Sequence, residues 1–139
     1  RNEYLSSGDF GTSVDYTYNS DGTVSFSKYS GDLSLPLTLS SEGYFTFDSQ
    51  GRVTSAVHDN GYTETFTYDD KNSPYKNILG IDKLPFEGDY ANNLINNFTS
   101  RTNTYSGSNF TLTYNSNDYL STEIEDDGDE ITTTQYFYN

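Results

Sequence analysis

The chain has 139 residues, with 21 acidic and 7 basic side chains, a formal net charge of −14 and no cysteine. So few Lys and Arg argue against nucleic acid as a partner, and an anionic membrane surface would repel the chain as well. The absence of cysteine excludes a disulfide framework and thiol chemistry. The length predicts one domain, 1–139, whose thin core draws on 14 Tyr and 9 Phe.

Alternating apolar and polar residues separated by turn residues predict short β-strands along most of the chain. After residues 1–11, which we expect to be a loose lead-in, Val14–Tyr18 and Thr23–Phe26 alternate on either side of Asn19–Gly22. Asn at the first turn position and Gly at the fourth suit a type I turn followed by a left-handed residue, a common hairpin closure.

The next segment, Leu33–Leu39, has leucine at every second position, which predicts a strand with one leucine face. Pro36 has no amide hydrogen to donate to a ladder, so this strand is expected at an edge or with a bulge. Residues 44–68 then hold two further turns, at Asp48–Gly51 and Asn60–Gly61.

Prolines and glycines break residues 72–97 into an irregular insert, in which we expect one or two helical turns over Asp89–Ile95. Strands resume at Phe98. The last two hairpins are expected to close at Asn115–Asp118 and at Asp126–Gly128.

A seven-residue signature recurs four times: an apolar residue, Thr, Tyr or Phe, Asp or Asn, Ser or Asp, any residue, and Gly, Asn or Asp. The last position always tolerates a left-handed backbone, as the turn requires. Each copy is part of a hairpin that cannot bury its aromatic face alone, so neighbouring hairpins must pair. The copies are Tyr16–Gly22, Phe45–Gly51, Phe66–Asn72 and Leu112–Asp118. The sequence therefore predicts an all-β antiparallel meander of repeated hairpins, with about eight to ten strands in a curved or partly closed sheet.

The second copy with its flanks, Tyr44–Ser55, resembles the YD repeat of Rhs-type proteins, whose hallmark is aromatic-x-Tyr-Asp-x-x-Gly-Arg-Leu. With Tyr68–Asn77 and Thr134–Tyr138, the pattern resembles a group of uncharacterised secreted lipoproteins of Bacteroidota. The resemblance implies a hairpin-repeat fold and a place in the extracellular space or on the outer-membrane surface. The chain starts at Arg1 without Met, so we expect a preceding segment, where a lipid anchor or signal peptide would lie.

Tyrosines supply the candidate ligand-binding face. Tyr44 is out of phase with Phe45, and Tyr136 and Tyr138 are out of phase with Phe137, so rings are expected on both faces of the sheet. Exposed tyrosine rows stack on sugar rings or anchor a protein partner, whereas the alternative is that both faces are covered. The candidate ligand-binding residues are Tyr44, Tyr62, Tyr136 and Tyr138.

The last hairpin is crowded with carboxylates. Glu125, Asp126, Asp127 and Asp129 are candidate calcium ligands, because calcium prefers several oxygens on a flexible loop. The alternative is a solvated acidic turn, since no stretch matches the twelve-residue calcium loop and Asp is favoured in turns for backbone reasons. The single histidine, His58, excludes a histidine-cluster metal site, and we interpret it as a strand-end residue beside a turn.

These features favour a non-enzymatic binding module at the cell surface or in the extracellular space. It would take a glycan or a protein through its tyrosine face, with calcium as the one candidate cofactor. The alternative is an inhibitor or immunity-type lipoprotein that occludes a protein partner with its acidic hairpins. A hydrolase comes third, because catalytic carboxylates need not be close in sequence.

Overall fold

A computed structural model describes residues 2–5, 9–79 and 95–138. Over these residues the chain forms ten strands and no helix, and the hydrogen-bonded order of the strands follows the chain. Strand pairing is antiparallel, which confirms the predicted all-β meander, and the sheet ends at two unpaired edges, so it is not closed. The strands are β1 (Asn2–Leu5), β2 (Phe10–Tyr18), β3 (Val24–Asp32), β4 (Thr38–Phe47), β5 (Val53–His58), β6 (Thr63–Tyr68), β7 (Phe98–Asn103), β8 (Gly107–Tyr114), β9 (Leu120–Asp126) and β10 (Ile131–Gln135).

The chain divides into two compact units, Arg1–Thr63 and Glu64–Asn139, within the span for which one domain is expected. No helix among the described residues is long and apolar enough to cross a membrane.

The core of the first unit is thin and lies on one face of β2 to β5. Phe26 of β3 packs against Phe45 of β4 with ring centroids 5.0 Å apart, and both side chains are buried. Gly43 lies directly opposite Phe26, and a Cβ there would come within 2.7 Å of its ring. The same Cβ would lie 2.2 Å from the Val57 carbonyl oxygen, so glycine is required here by both the ring and the neighbouring backbone.

Aromatic stacking also builds the core of the second unit. The buried ring of Phe98 lies 5.5 Å from that of Phe66, 5.2 Å from Tyr68 and 6.0 Å from Phe110. Leu120, at the start of β9, is only 1% exposed. Few aliphatic residues are needed because each aromatic ring buries a large area.

Three copies of the repeated signature close hairpins in the same way, which confirms the predicted turn. The first turn residue, Asn19, Asp48 or Asn115, donates its amide to the carbonyl of the fifth residue at 2.9 Å in each case. The amide of the fourth residue donates back to the first carbonyl at 3.0–3.1 Å. That fourth residue has a positive φ, 87° at Gly22, 78° at Gly51 and 60° at Asp118.

The third copy keeps the bond between the first and fifth turn residues despite a long insertion inside the turn, whereas the amide of its fourth residue, Asn72, donates to the Asp118 carbonyl. The amide of Asp69 donates to the carbonyl of Asn97 at 3.0 Å, where Asp48 donates to Arg52. The Asp69 Oδ1 accepts from the amides of Lys71 and Asn97, as the Asp48 Oδ1 accepts from the amides of Gln50 and Arg52. Asn97 therefore takes the place of the fifth turn residue, and the insert separates the fourth residue from the fifth.

The residue that follows the fifth turn position is buried in all four copies. These residues are Val24, Val53, Phe98 and Leu120. In the last three copies the signature threonine also bonds across its own hairpin, as Thr46 does to Thr54 at 2.9 Å. The corresponding bonds join Thr67 to Thr99 at 2.7 Å and Thr113 to Ser121 at 3.0 Å. The threonines of these three copies thus pair within their own hairpins.

Two predictions about strand extent are wrong. The lead-in is not loose throughout, because Asn2–Leu5 pairs with β2, which itself begins at Phe10. The leucine stretch is not a strand before Thr38: Asp32 accepts hydrogen bonds from the amide and hydroxyl of Ser34, and this turn ends β3.

The described ends of the predicted insert, residues 72–79 and 95–97, contain no strand, in agreement with the sequence. The expected helical turns over Asp89–Ile95 fall, apart from Ile95, outside the described residues.

Candidate functional site

The four candidate tyrosines are divided between the two units. Tyr44 of β4 is 42% exposed, and its cross-strand neighbours are Ser25 and Val57, so no second ring lies opposite it. Tyr62 packs edge-on against His58 at 5.4 Å, on the face that carries the core. Tyr44 and Tyr62 therefore do not combine into one surface.

His58 is part of the aromatic packing of the first unit. Its ring makes T-shaped contacts with Phe26 at 5.2 Å and with Tyr62, and its Nδ1 lies 3.4 Å from the Ser41 hydroxyl. This agrees with a strand-end histidine beside a turn. The ring extends the row of aromatic side chains to the edge of the core.

The other two candidates, Tyr136 and Tyr138, lie in the second unit and meet two tyrosines that the sequence did not single out. Tyr138 packs against Tyr119 with ring centroids 5.5 Å apart, and its hydroxyl donates to the Leu120 carbonyl at 2.6 Å. Tyr75 lies close enough to Tyr136 and Tyr138 to influence the ionisation of both. We call Tyr75, Tyr119, Tyr136 and Tyr138 the tyrosine cluster.

The start of the insert positions Tyr75. Asn72 makes a parallel bridge to Tyr119, in which the Asn72 amide donates to the Asp118 carbonyl and the Leu120 amide donates to the Asn72 carbonyl. The fully buried Ser73 accepts the Tyr75 amide at 3.0 Å, which fixes the turn that carries this ring. The Asn77 amide group donates to the Tyr119 hydroxyl at 2.6 Å. The cluster is thus assembled from the insert, the start of β9 and the segment after β10.

The surroundings of the cluster shift the ionisation of two of its tyrosines. Burial, the negative charge of Glu123, and the neighbouring Tyr75 and Tyr138 raise the pKa of Tyr136 to about 12. Burial, Tyr119 and Tyr75 raise the pKa of Tyr138 as well. The rings are only partly covered: Tyr75 is 39% and Tyr138 43% exposed. The cluster therefore presents aromatic surface, and the raised pKa values of Tyr136 and Tyr138 keep these two phenols neutral at ordinary pH.

A carboxylate borders this surface. Glu123 of β9 lies between Leu112 of β8 and Thr134 of β10, on the same face as Glu125. Burial, and then repulsion from Glu125, raise the pKa of Glu123. Among the residues that the structure describes, Glu123 accepts no hydrogen bond and forms no ion pair. A half-buried carboxylate without a partner is costly unless something else compensates for its charge.

The acidic candidates of the last hairpin mainly support its turn. Asp126 accepts the Gly128 amide at 3.0 Å, and Asp127 accepts the amides of Asp129 and Glu130 at 2.9 and 2.8 Å. These backbone donors lower the pKa of Asp127. No group of three or more metal-binding side chains comes together in the described part of the chain, so calcium binding by Glu125 to Asp129 stays a prediction.

Sequence reasoning missed Tyr75, Tyr119 and Glu123. Tyr75 follows a proline inside an irregular segment, where periodicity carries no information. Tyr119 adjoins the buried Leu120 and is therefore out of phase with it, the signal that selected Tyr44. Glu123 looked like one carboxylate among several.

No protein-family model, curated protein or solved structure matches the chain. The function of the tyrosine cluster therefore has to be inferred from its own geometry and chemistry.

Proposed function

We propose that the chain is a non-enzymatic binding module that takes a glycan through the tyrosine cluster of its second unit. Partly exposed aromatic rings bordered by a few polar groups suit sugar rings, whose C–H faces stack on aromatic carbon while their hydroxyls bond to the polar edge. The observation that carries this proposal is the convergence of four tyrosines from three separate segments, with Asn77 and Glu123 at their margin.

The location that goes with this function is the cell surface or the extracellular space, where polysaccharides are available. This part of the proposal depends on the resemblance to secreted lipoproteins. Surface biotinylation and protease accessibility of the full-length protein in its own cells would test it. Protection from both reagents in intact cells would contradict it.

The binding proposal is tested by isothermal titration calorimetry and thermal melts with a panel of soluble polysaccharides. A glycan that binds only the folded state raises the melting temperature. We expect Tyr75→Ala to weaken binding at least about tenfold, because stacked aromatic anchors dominate such interfaces. Tyr18→Ala is the matched control, since Tyr18 is 73% exposed in β2 and belongs to the first unit.

Two outcomes would contradict the proposal. One is the absence of binding to every polysaccharide; the other is a glycan affinity that Tyr75→Ala leaves unchanged. If the protein instead captures a basic protein with a steep salt dependence, the acidic last hairpin would become the favoured interface, as in an inhibitor or immunity-type protein. Asp129→Asn, on the exposed turn, would then weaken binding while Tyr75→Ala would not.

A further inference from the structure

We propose that the glycan taken by the tyrosine cluster carries free amines, as an oligomer of unacetylated amino sugars does. This inference rests on the proposed function and adds the charge of the ligand to it. It follows from the position of Glu123, the surroundings of Glu123 and the rings beside it.

Glu123 is placed where a ligand bound to the tyrosine cluster would meet its carboxylate. Glu123 pairs with Thr134, and the Tyr136 amide continues this register by donating to the Ser121 carbonyl at 3.0 Å. Tyr136 is therefore the diagonal neighbour of Glu123 on the same face of the sheet. Thr134 opposite Glu123 is exposed, which leaves this edge of the cluster open to solvent.

The charge of Glu123 is not compensated within the described part of the protein. The two lysines at the start of the insert bond to other groups. Lys71 pairs with Asp118 at 3.1 Å, and Lys76 donates to the side-chain oxygen of Asn72 at 2.5 Å. The next carboxylate on the same face, Glu125, repels Glu123. A bound cation would offset both the cost of burying the Glu123 charge and its repulsion from Glu125, whereas a neutral sugar would offset neither.

The aromatic surroundings favour a cation as well. A tyrosine ring attracts an ammonium group placed over its face. An ammonium group at this edge would therefore interact with a carboxylate and with the faces of neighbouring tyrosines at the same time. The chain as a whole, with a net charge of −14, attracts cationic polymers.

The experiment compares three hexasaccharides by calorimetry at roughly physiological salt, where the long-range part of the attraction is screened. They are the hexamer of glucosamine, the hexamer of N-acetylglucosamine and the neutral hexamer of glucose. We expect the glucosamine hexamer to bind at least about tenfold more tightly than the other two. Glu123→Gln is expected to remove this preference while the protein stays folded. The matched control is Glu130→Gln, which removes an exposed charge from the adjacent turn and should leave the preference intact.

Each other result would overturn the inference in a recognisable way. If the acetylated or neutral hexamer binds as tightly as the amine, glycan binding stands and the charge preference is wrong. If Glu130→Gln reduces the preference as much as Glu123→Gln, the attraction comes from net charge alone. If hexalysine binds as tightly as the glucosamine hexamer, the site recognises ammonium groups without the sugar. If no hexasaccharide binds and no other glycan does, the proposed function itself fails.

Discussion

The role of Asp69 provides a sharp test of how the third hairpin tolerates its insertion. Its Oδ1 accepts two amides, as those of Asp48 and Asn115 do in uninterrupted turns, but its Oδ2 accepts two further donors. These are the side-chain amide of Asn97, at 3.0 Å, and the hydroxyl of Tyr114. Replacing Asp69 by Asn keeps the first acceptor and turns the second into a donor. The substitution therefore removes the hydrogen bonds that hold the end of the insert and keeps those that form the turn.

The expected cost follows from burial. Asn97 is only 2% exposed, so its amide cannot turn to water when its acceptor is lost. A buried donor left unsatisfied costs about 1–3 kcal/mol, and hydrogen bonds to a charged acceptor lie in the upper part of that range. We expect Asp69→Asn to lower the free energy of unfolding by about 2–3 kcal/mol.

Asp48→Asn is the matched control. Asp48 occupies the same turn position, where the first and fourth copies naturally have Asn19 and Asn115. Its second oxygen only pairs with Arg52, at 2.6 Å, in a partly exposed site. Surface ion pairs contribute about 0–1 kcal/mol, so Asp48→Asn should lower stability by less than about 1 kcal/mol.

Urea unfolding followed by far-UV circular dichroism measures both variants. With an unchanged m value, Asp69→Asn should lower the midpoint by about 1 M, and Asp48→Asn by much less. Equal losses in the two variants would refute the reasoning, because Asp69 would then act only as a turn residue. Combining Asp69→Asn with Tyr114→Phe gives a further check, since removing both partners of one bond should cost less than the sum of the single changes.

Three further predictions concern packing and titration. Gly43→Ala should lower the free energy of unfolding by about 1–3 kcal/mol in urea, because its Cβ would press on the Val57 carbonyl oxygen and on the Phe26 ring. A neutral effect would show that both the strand backbone and the ring move aside at little cost. The contribution of Tyr136 to the free energy of unfolding should be fully present below pH 10.0 and be lost as the pH rises towards about 12. The reason is that the pKa of Tyr136 is raised in the folded state, so the same tyrosine ionises first in the unfolded chain. Tyr136→Phe should flatten this decline in pH-dependent melts. Glu123→Gln should stabilise the protein at neutral pH by up to about 0.5 kcal/mol, because the raised pKa of Glu123 shows that its charged form is unfavourable in the fold. This gain should vanish below the usual pKa of glutamate, where Glu123 is protonated in both the folded and the unfolded state. A variant that is less stable than the parent at pH 7 would show that the charge is compensated.

A stabilising effect of Glu123→Gln would also bear on function. Residues held at some cost to stability are typical of binding sites, where the cost is recovered when the ligand binds. A stabilised variant that loses the preference for amines would therefore support both the site and its ligand class. The two measurements are independent, since one uses the free protein and the other uses the complex.

The turns and the alternation, and therefore the meander, follow from the amino-acid sequence alone. The turn at Asp48–Gly51 is specified within five residues, since its backbone bonds join the first residue to the fourth and fifth, and Gly51 supplies the positive φ. Information of this kind is local, so it is readable without the rest of the fold. The exposed Tyr44 beside the buried Phe45 followed from period-two alternation for the same reason.

Local patterns failed where a distant contact decided the outcome. The alternation of Leu33–Leu39 predicts a strand, but the Leu33 amide donates to the Asp9 carbonyl at 2.5 Å and the Leu33 side chain packs against Gly11 of β2. Nothing in the segment itself specifies that contact.

Only the tertiary structure decided the candidate site. The tyrosine cluster needs Asn72 bridged to Tyr119 and Asn97 bonded to Asp69, pairs that are distant along the chain. Those bonds close an interrupted turn and carry Tyr75 to Tyr136 and Tyr138, which come from the opposite end of the unit. Sequence periodicity assigns a residue to a face of a strand, but it cannot bring together rings from a loop, a turn and the segment after the last strand. Long-range hydrogen bonds between buried polar groups do that, because leaving those groups unpaired would cost more than ordering the chain around them.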